Sequence, residues 1–513
     1  MLKNKTTLLY ILLLFFGLCI PLILNCIKGN ALHYDEAYSI LLAKDSFSGI
    51  WSVTARDVHP PLYYFGLKVF TFLFDFSPDS YYLYRIYSIT GYWLCLLLCV
   101  FPIRRLFGKK VSFLVMILLM LIPVSVYIYA NVRMYSWAMF FLLGTFAYAY
   151  DAYKNNSLSA WIKLSVFILC AMYTHYYALL CGFWIFILLL VFLLIKKTDK
   201  AEKRKYIINY LVSGLVVSVA YMPWLYNLLN QMKEVTDNYW ITGPQLKEIL
   251  FSLEFFFSPI GFTDQYGAFL KNIPVQLLLC STLLLMVYTI YLAAKNYKTN
   301  KENINTGIIC FVAIVLPLMS VFIYTASVKP IYSVRYLACY LTLFILGMSL
   351  FIASLPERKT SKYPVYTLFA LLIIGFGLTV NALAQRNGKE NAKAIDQAVE
   401  DFAKDCDYVF YSNEGAISDL NYLSAYHPEY TYYLVTSNDA KKTALPFWFI
   451  SGDTVLLKPF TEIQKTDKIA TEARFIYVTY QLDKDDPVLE NYTVIDSLNV
   501  MNMYKMTPKT NKD

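Results

Sequence analysis

The chain has 513 residues, 58% of them hydrophobic and 16% charged, with a net charge of +9 at pH 7. Soluble domains carry about 25% charged residues, so a soluble globular reading is excluded, and repeated apolar runs of roughly 20 residues identify a polytopic α-helical membrane protein. The positive charge lies in short connections between those runs rather than on one basic face, which fits membrane topology and excludes a nucleic-acid binder.

The first run, "LLYILLLFFGLCIPLILNCI" (8–27), follows Lys3 and Lys5. It is long for a secretory leader and has no clear small-residue cleavage site, so it reads as a retained anchor. Ten further spans are expected at 81–103, 111–129, 134–150, 159–176, 178–195, 207–225, 273–294, 306–325, 336–355 and 364–383. With the N-terminus cytoplasmic, alternate connections should lie inside. They are "RRLFGKK", "DAYKNN", "KKTDKAEKRK", "KNYKTNKEN" and "PERKTSK". All but "DAYKNN" are rich in Lys and Arg, as the positive-inside rule requires. That alternation supports about eleven spans.

The chain then divides into a transmembrane module, 1–383, with a long first outer loop at 28–80, and a soluble tail, 384–513. A second outer segment, 226–272, includes a candidate interfacial helix at "QLKEILFSLEFFF" (245–257). In the tail, "DYVFYS", "FWFIS", "DTVLLKPF" and "ARFIYVTY" read as short strands. "NGKENAKAIDQAVEDFAK" (387–404) reads as an amphipathic helix. A small C-terminal α/β extracytoplasmic domain is expected. Of ten cysteines, nine lie in or beside apolar runs, where Cys behaves as a small hydrophobe. Cys406 is alone in the tail, so no disulfide within that region is expected.

The polar residues that stand out all fall on the predicted outer side. "HYDEAYS" (33–39) follows the first span. Asp35 can cap a helix beginning "EAYSILLAK", where the helix dipole favours an acid. It can equally be a carboxylate base at the bilayer surface, with Glu36 as neighbour or alternate. "RDVHPPLYYF" (56–65) adds Asp57 and His59. Its two prolines suit the entry to a second short apolar helix, 60–74, which reads as interfacial. There the two polar groups either mark a helix entry or orient a substrate. Two histidines and scattered acids without ligand spacing are weak metal evidence, so metal use stays open.

Cations come next. Arg85 opens a span in "YLYRIYS", Arg133 sits in the outer turn "NVRMYSWA", and Arg335 stands at the outer end of a span in "PIYSVRYLA". Snorkelling explains any single arginine at a membrane edge. Three on one side suggest a grip on phosphate, since a guanidinium binds phosphate by two parallel hydrogen bonds. "THYYA" (174–178) places His175 at the same level. An interface belt accounts for most of the surrounding tyrosines. Acid, arginines and aromatics on one side suit a substrate with a phosphate head and a lipid tail. No Walker A loop or dinucleotide fingerprint is present to hold a soluble nucleotide sugar.

With those motifs on the page, the chain resembles the GT-C glycosyltransferases, in particular the glycosyltransferase family 39-like branch of protein O-mannosyltransferases and lipid A aminoarabinose transferases. The resemblance runs over most of 1–383. It rests on the Asp35–Glu36 pair, "HPPLYY" (59–64), "RMYS" (133–136), "HYYA" (175–178) and "RY" (335–336). It implies a polytopic enzyme that takes a monosaccharide, hexose or pentose, from a polyprenyl-phosphate-linked donor. The acceptor would be a hydroxyl or phosphate on a protein, lipid A or a glycan at the outer face. It implies Asp35, with Glu36 as alternate, as catalytic base. Arg133 and Arg335 become lipid-phosphate contacts and His59 a substrate-site residue. Asp57, Tyr63, Arg85, Tyr135, His175, Tyr176 and Tyr336 complete the substrate-side candidates. No cofactor is assigned, and a divalent metal is compatible with the reading. Protein O-mannosyltransferases often read "HPPLGK" where this chain reads "HPPLYY", and no inserted domain of their eukaryotic type interrupts the spans. A bacterial inner-membrane enzyme is therefore expected, with the tail outside.

Two other classes compete. A transporter or lipid flippase explains many spans and buried cations, but it predicts charges near the bilayer midplane and broken helices in repeated halves. A non-catalytic sensor would make the tail essential and the first-loop acids dispensable.

Overall fold

The computed structural model of the chain describes residues 5–28, 34–74, 81–129, 131–234, 256–257, 273–389, 401–402, 404–406, 408–412, 431–436, 458–459, 474–478, 482, 484, 487–490, 492–498 and 503–509. Two compact units are present. The first comprises Met1–Gly29, Val58–Tyr63 and Arg85–Arg386, and the second Asn30–Asp57, Tyr64–Tyr84 and Asn387–Asp513.

The chain opens with α1 (Lys5–Lys28), α2 (Tyr34–Lys44), α3 (Phe47–Thr54), α4 (Leu62–Phe74) and α5 (Tyr81–Leu98). A π-turn, Cys99–Ile103, leads into α6 (Arg104–Leu121), and α7 (Val124–Tyr129) and α8 (Tyr135–Asn155) follow. Next come α9 (Leu158–Thr174), α10 (Tyr176–Ile195), α11 (Lys200–Glu234), α12 (Ile273–Lys295) and α13 (Lys301–Ser327). A 3₁₀ segment, Val334–Tyr340, precedes α14 (Leu341–Ala353), and α15 (Lys359–Lys389) is last.

Helix occupies every segment expected to span, but the count of eleven is not confirmed. Among the described residues, eight helices are long and apolar enough to cross a membrane. Leu83–Leu121 counts as one of them although the sequence suggests two spans there. The break between the two is local: Gly108 in "RRLFGKK" has φ +86°, which only glycine adopts without strain. α8 falls outside the eight, and α9 is apolar but short. The candidate helix at 245–257 lies outside the described residues except for Phe256, which stacks on Phe344 of α14, and Phe257, which meets the same ring edge-on.

In the first unit, close helix packing rests on small residues, because lipid offers helices no hydrophobic drive to associate. Gly144 of α8 faces Phe167 of α9, and Gly307 of α13 faces Phe351 of α14. Segment Val334–Ala353 is strongly apolar after Arg335 and almost wholly buried, which places it inside the bundle.

In the second unit, α2, α3 and α4 pack on one another. Phe47 meets Phe65 with ring centroids 5.6 Å apart, and Tyr38 meets Tyr64 at 6.0 Å. The described part of the tail forms a six-stranded sheet in the order β3-β2-β1-β4-β6-β5. Its strands are β1 (Tyr408–Ser412), β2 (Thr431–Thr436), β3 (Lys458–Pro459), β4 (Phe475–Val478), β5 (Tyr492–Leu498) and β6 (Met503–Pro508). The first four are parallel, and the last two close the sheet antiparallel. β1 and β4 coincide with "DYVFYS" and "ARFIYVTY". β2, β5 and β6 were not legible, since Tyr-, Thr- and Met-rich runs there lack clean alternation. "FWFIS" and most of 387–404 lie outside the described residues.

Candidate active site

Five candidate residues of the first unit come together: His59, Arg133, Tyr135, His175 and Tyr336. Each arrives at a helix boundary. His59 stands just before Pro60 and Pro61, and Arg133 stands in the turn between α7 and α8. His175 is the break between α9 and α10, and Tyr336 lies in the 3₁₀ segment ahead of α14. All five are buried.

Arg133 Nη2 lies 3.3 Å from His59 Nε2. The His59 ring is 5.6 Å from that of His175 and 6.3 Å from that of Tyr336. The rings of Tyr135 and Tyr336 stand 5.9 and 5.0 Å from His175. Arg335, half-buried, sits with its guanidinium 5.5 Å from the Tyr336 ring centre.

His175 has an extended backbone, φ −160° and ψ 139°, and caps α10 through its ring: Nδ1 accepts from the Tyr177 amide at 3.1 Å. An accepting Nδ1 places the proton of the neutral ring on Nε2. That Nε2 is buried and has no hydrogen-bond partner. The group is therefore a neutral, unsatisfied donor flanked by guanidinium charge, an arrangement that calls for an acceptor or anion from outside the protein.

Sequence reasoning missed the residues that hold this cluster. Tyr177 Oη donates to the Ile331 carbonyl at 3.2 Å and accepts from the Ser333 amide at 3.3 Å, while Tyr340 Oη donates to the Tyr177 carbonyl at 3.1 Å. These bonds fasten the segment carrying Arg335 to α10. The Arg133 turn is fastened by Asn131, which accepts from Lys28 Nζ at 2.9 Å and donates to the Tyr127 carbonyl at 2.7 Å. Both residues sit inside quoted motifs, but their bonds join positions far apart in the chain.

Three candidates of the first unit go elsewhere. Arg85, fully buried, donates to Asn25 at 3.3 Å. Tyr63 bonds Ser88 at 2.7 Å. Tyr176 donates to Gln231 and accepts from Trp224 Nε1 at 3.1 Å.

The acids belong to the second unit. The expected cap is corrected: α2 begins at Tyr34, so Asp35 and Glu36 both lie in its first turn, where the dipole still favours a negative charge. Asp35 is half-buried and Glu36 is wholly buried. Asp57, 4% exposed, accepts from Tyr38 Oη at 2.8 Å. Tyr38 lies within "HYDEAYS" but was not singled out. A metal finds no donor set: among the described residues no group of three or more His, Cys, Asp or Glu could hold an ion, and the two neighbouring histidines share their surroundings with arginines.

Residues 58–226 match the family described as dolichyl-phosphate-mannose-protein mannosyltransferase, over less than half of the chain. The match takes in His59, Arg133 and His175. None of the curated proteins matches the sequence. Among solved structures, ArnT from Cupriavidus metallidurans in the apo state is similar with a TM-score of 0.62 at 12% identity, covering 98% of both chains. ArnT of the same organism bound to undecaprenyl phosphate is similar with a TM-score of 0.62 at 11% identity, covering 99% of both. An oligosaccharyltransferase from Archaeoglobus fulgidus, with a TM-score of 0.42 at 12% identity over 80% of this chain and 62% of its own, is too distant to carry an argument. The fold is similar to that of ArnT, and the family match falls on residues 58–226 within it.

Proposed function

We propose that this protein moves a monosaccharide from a polyprenyl-phosphate-linked donor to an acceptor hydroxyl or phosphate at the outer face of a bacterial inner membrane. The observation that carries the reading is the buried group of Arg133, His59 and His175, with an unsatisfied Nε2 donor on His175. Such a group is costly without an acceptor, and a phosphate oxygen is the acceptor that guanidinium and neutral imidazole both suit. The ArnT fold, one of whose structures contains undecaprenyl phosphate, supports a lipid-phosphate donor.

The reaction is an in-line displacement at the anomeric carbon. The acceptor oxygen forms a bond to that carbon, and the carbon–oxygen bond to the lipid phosphate breaks with its electron pair going to phosphate. Asp35 takes the acceptor proton, with Glu36 as the alternate base. One displacement inverts the configuration. Arg133 and Arg335 stabilise the charge growing on the leaving phosphate, while His175 donates from Nε2. Tyr336 supports Arg335 through its ring face. Protein, lipid A and glycan acceptors all fit the chemistry.

The test is release of free lipid phosphate by the full-length protein in detergent, supplied with a panel of polyprenyl-phosphate sugars and acceptors. Turnover with one donor, lost in Arg133→Ala, supports the reading and names the sugar. Donor binding and turnover unaffected by Arg133→Ala would remove the phosphate assignment.

A further inference from the structure

A cavity of about 240 Å³ lies among α8, α10 and α13, at their ends away from Arg133 and His175. Measured along α8 from Tyr135 to Tyr150, it is roughly 20 Å from the residues at the helix start. Its walls are apolar, with Ala149, Leu188, Phe192 and Ile309 among them, and its rim is ionic. There Lys154 Nζ lies 2.6 Å from Glu302 Oε1. Tyr150 Oη donates to the same carboxylate oxygen. Among the described residues Glu302 Oε2 receives no hydrogen bond, and one contact leaves two of the three Lys154 protons open. Both side chains are well exposed, at 40% for Lys154 and 62% for Glu302.

An apolar gap beside membrane helices draws in a hydrocarbon chain, because water gains no hydrogen bonds there. The rim sets the head group. A lone cation would select any phosphate. A cation and an anion 2.6 Å apart select a head that carries both signs, with its phosphate toward Lys154 and its ammonium toward Glu302. We infer that this cavity binds one membrane phospholipid with a zwitterionic, amine-bearing head group, separate from the donor lipid of the catalytic face. Carboxylate and primary ammonium make direct charge-assisted hydrogen bonds, which a glycerol head group cannot match.

The full-length protein, delipidated in detergent, is titrated with phosphatidylethanolamine or phosphatidylglycerol, and retained lipid is counted by native mass spectrometry. Wild type should retain phosphatidylethanolamine about tenfold better than phosphatidylglycerol, from one charge-assisted contact. Glu302→Gln should remove that preference, because the freed Lys154 then holds the phosphate of either lipid, so phosphatidylglycerol retention should not fall. Ala149→Trp, which fills the wall, should lower retention of both about tenfold. Ile309→Trp is the second filling variant, and an unchanged melting temperature in lipid-free detergent establishes that each is folded. Equal retention of both lipids by wild type, a preference that survives Glu302→Gln, or full retention in both folded tryptophan variants overturns the assignment.

Discussion

The side chain of Arg133 reaches His59, 74 positions earlier in the sequence, Nη2 to Nε2, at 3.3 Å. A guanidinium has no acceptor, so His59 Nε2 must accept this bond and its ring proton belongs on Nδ1. A basic turn and a proline-flanked histidine thereby become one polar unit beside His175. That unit makes Arg133 more than a snorkelling surface cation.

Arg133→Lys keeps the charge and loses the planar fork. Turnover should fall about 10²-fold if Arg133 steadies charge on the leaving phosphate. Because the charge grows during the reaction, kcat should fall more than KM rises. Steady-state kinetics with the donor identified above decide this. A change confined to KM would reduce Arg133 to uniform binding of the lipid.

Asp35→Asn should lower kcat by roughly 10²–10⁴-fold as expected for loss of a general base. Glu36→Gln discriminates between the two acids. Glu36 is wholly buried, so its replacement should lower the melting temperature as well as the rate, whereas half-buried Asp35 should spare stability. If Asp35→Asn turns over at the wild-type rate while folded Glu36→Gln is dead, the base is Glu36.

Tyr38→Phe deletes the hydroxyl that reaches buried Asp57 at 2.8 Å. Hydrogen bonds to charged groups contribute about 1.5–3 kcal/mol, so thermal unfolding should come measurably earlier. An unchanged melting temperature would mean that another partner of Asp57 takes over.

Gly91→Ala tests the helix contact behind the Arg133 turn. A methyl there would stand 2.7 Å from the Trp137 amide nitrogen and 2.8 Å from the Ser136 carbonyl carbon. Backbone atoms cannot yield as a side-chain tip can, so α5 and α8 must part, at a cost of about 1–3 kcal/mol. Both stability and donor turnover should fall, since α8 begins beside Arg133. Retention of both would show that the helices separate without disturbing the turn.

Much of this was legible in one dimension. Span-length apolar runs and the Lys and Arg bias of alternate connections follow from local composition, because a bilayer imposes length and charge rules on each segment separately. The parallel strands β1 and β4 were visible because short runs of aromatic and β-branched residues mark a strand locally. What the tertiary structure alone decided is partnership. Arg85 looks like Arg133 in sequence, yet it is buried against Asn25 while Arg133 meets His59. Tyr177 looks like any belt tyrosine, yet it fastens the Arg335 segment to α10. Hydrogen bonds are satisfied or left open by whichever helices pack together. That packing depends on close approaches such as Gly91 against Ser136 and Trp137, which no local pattern encodes.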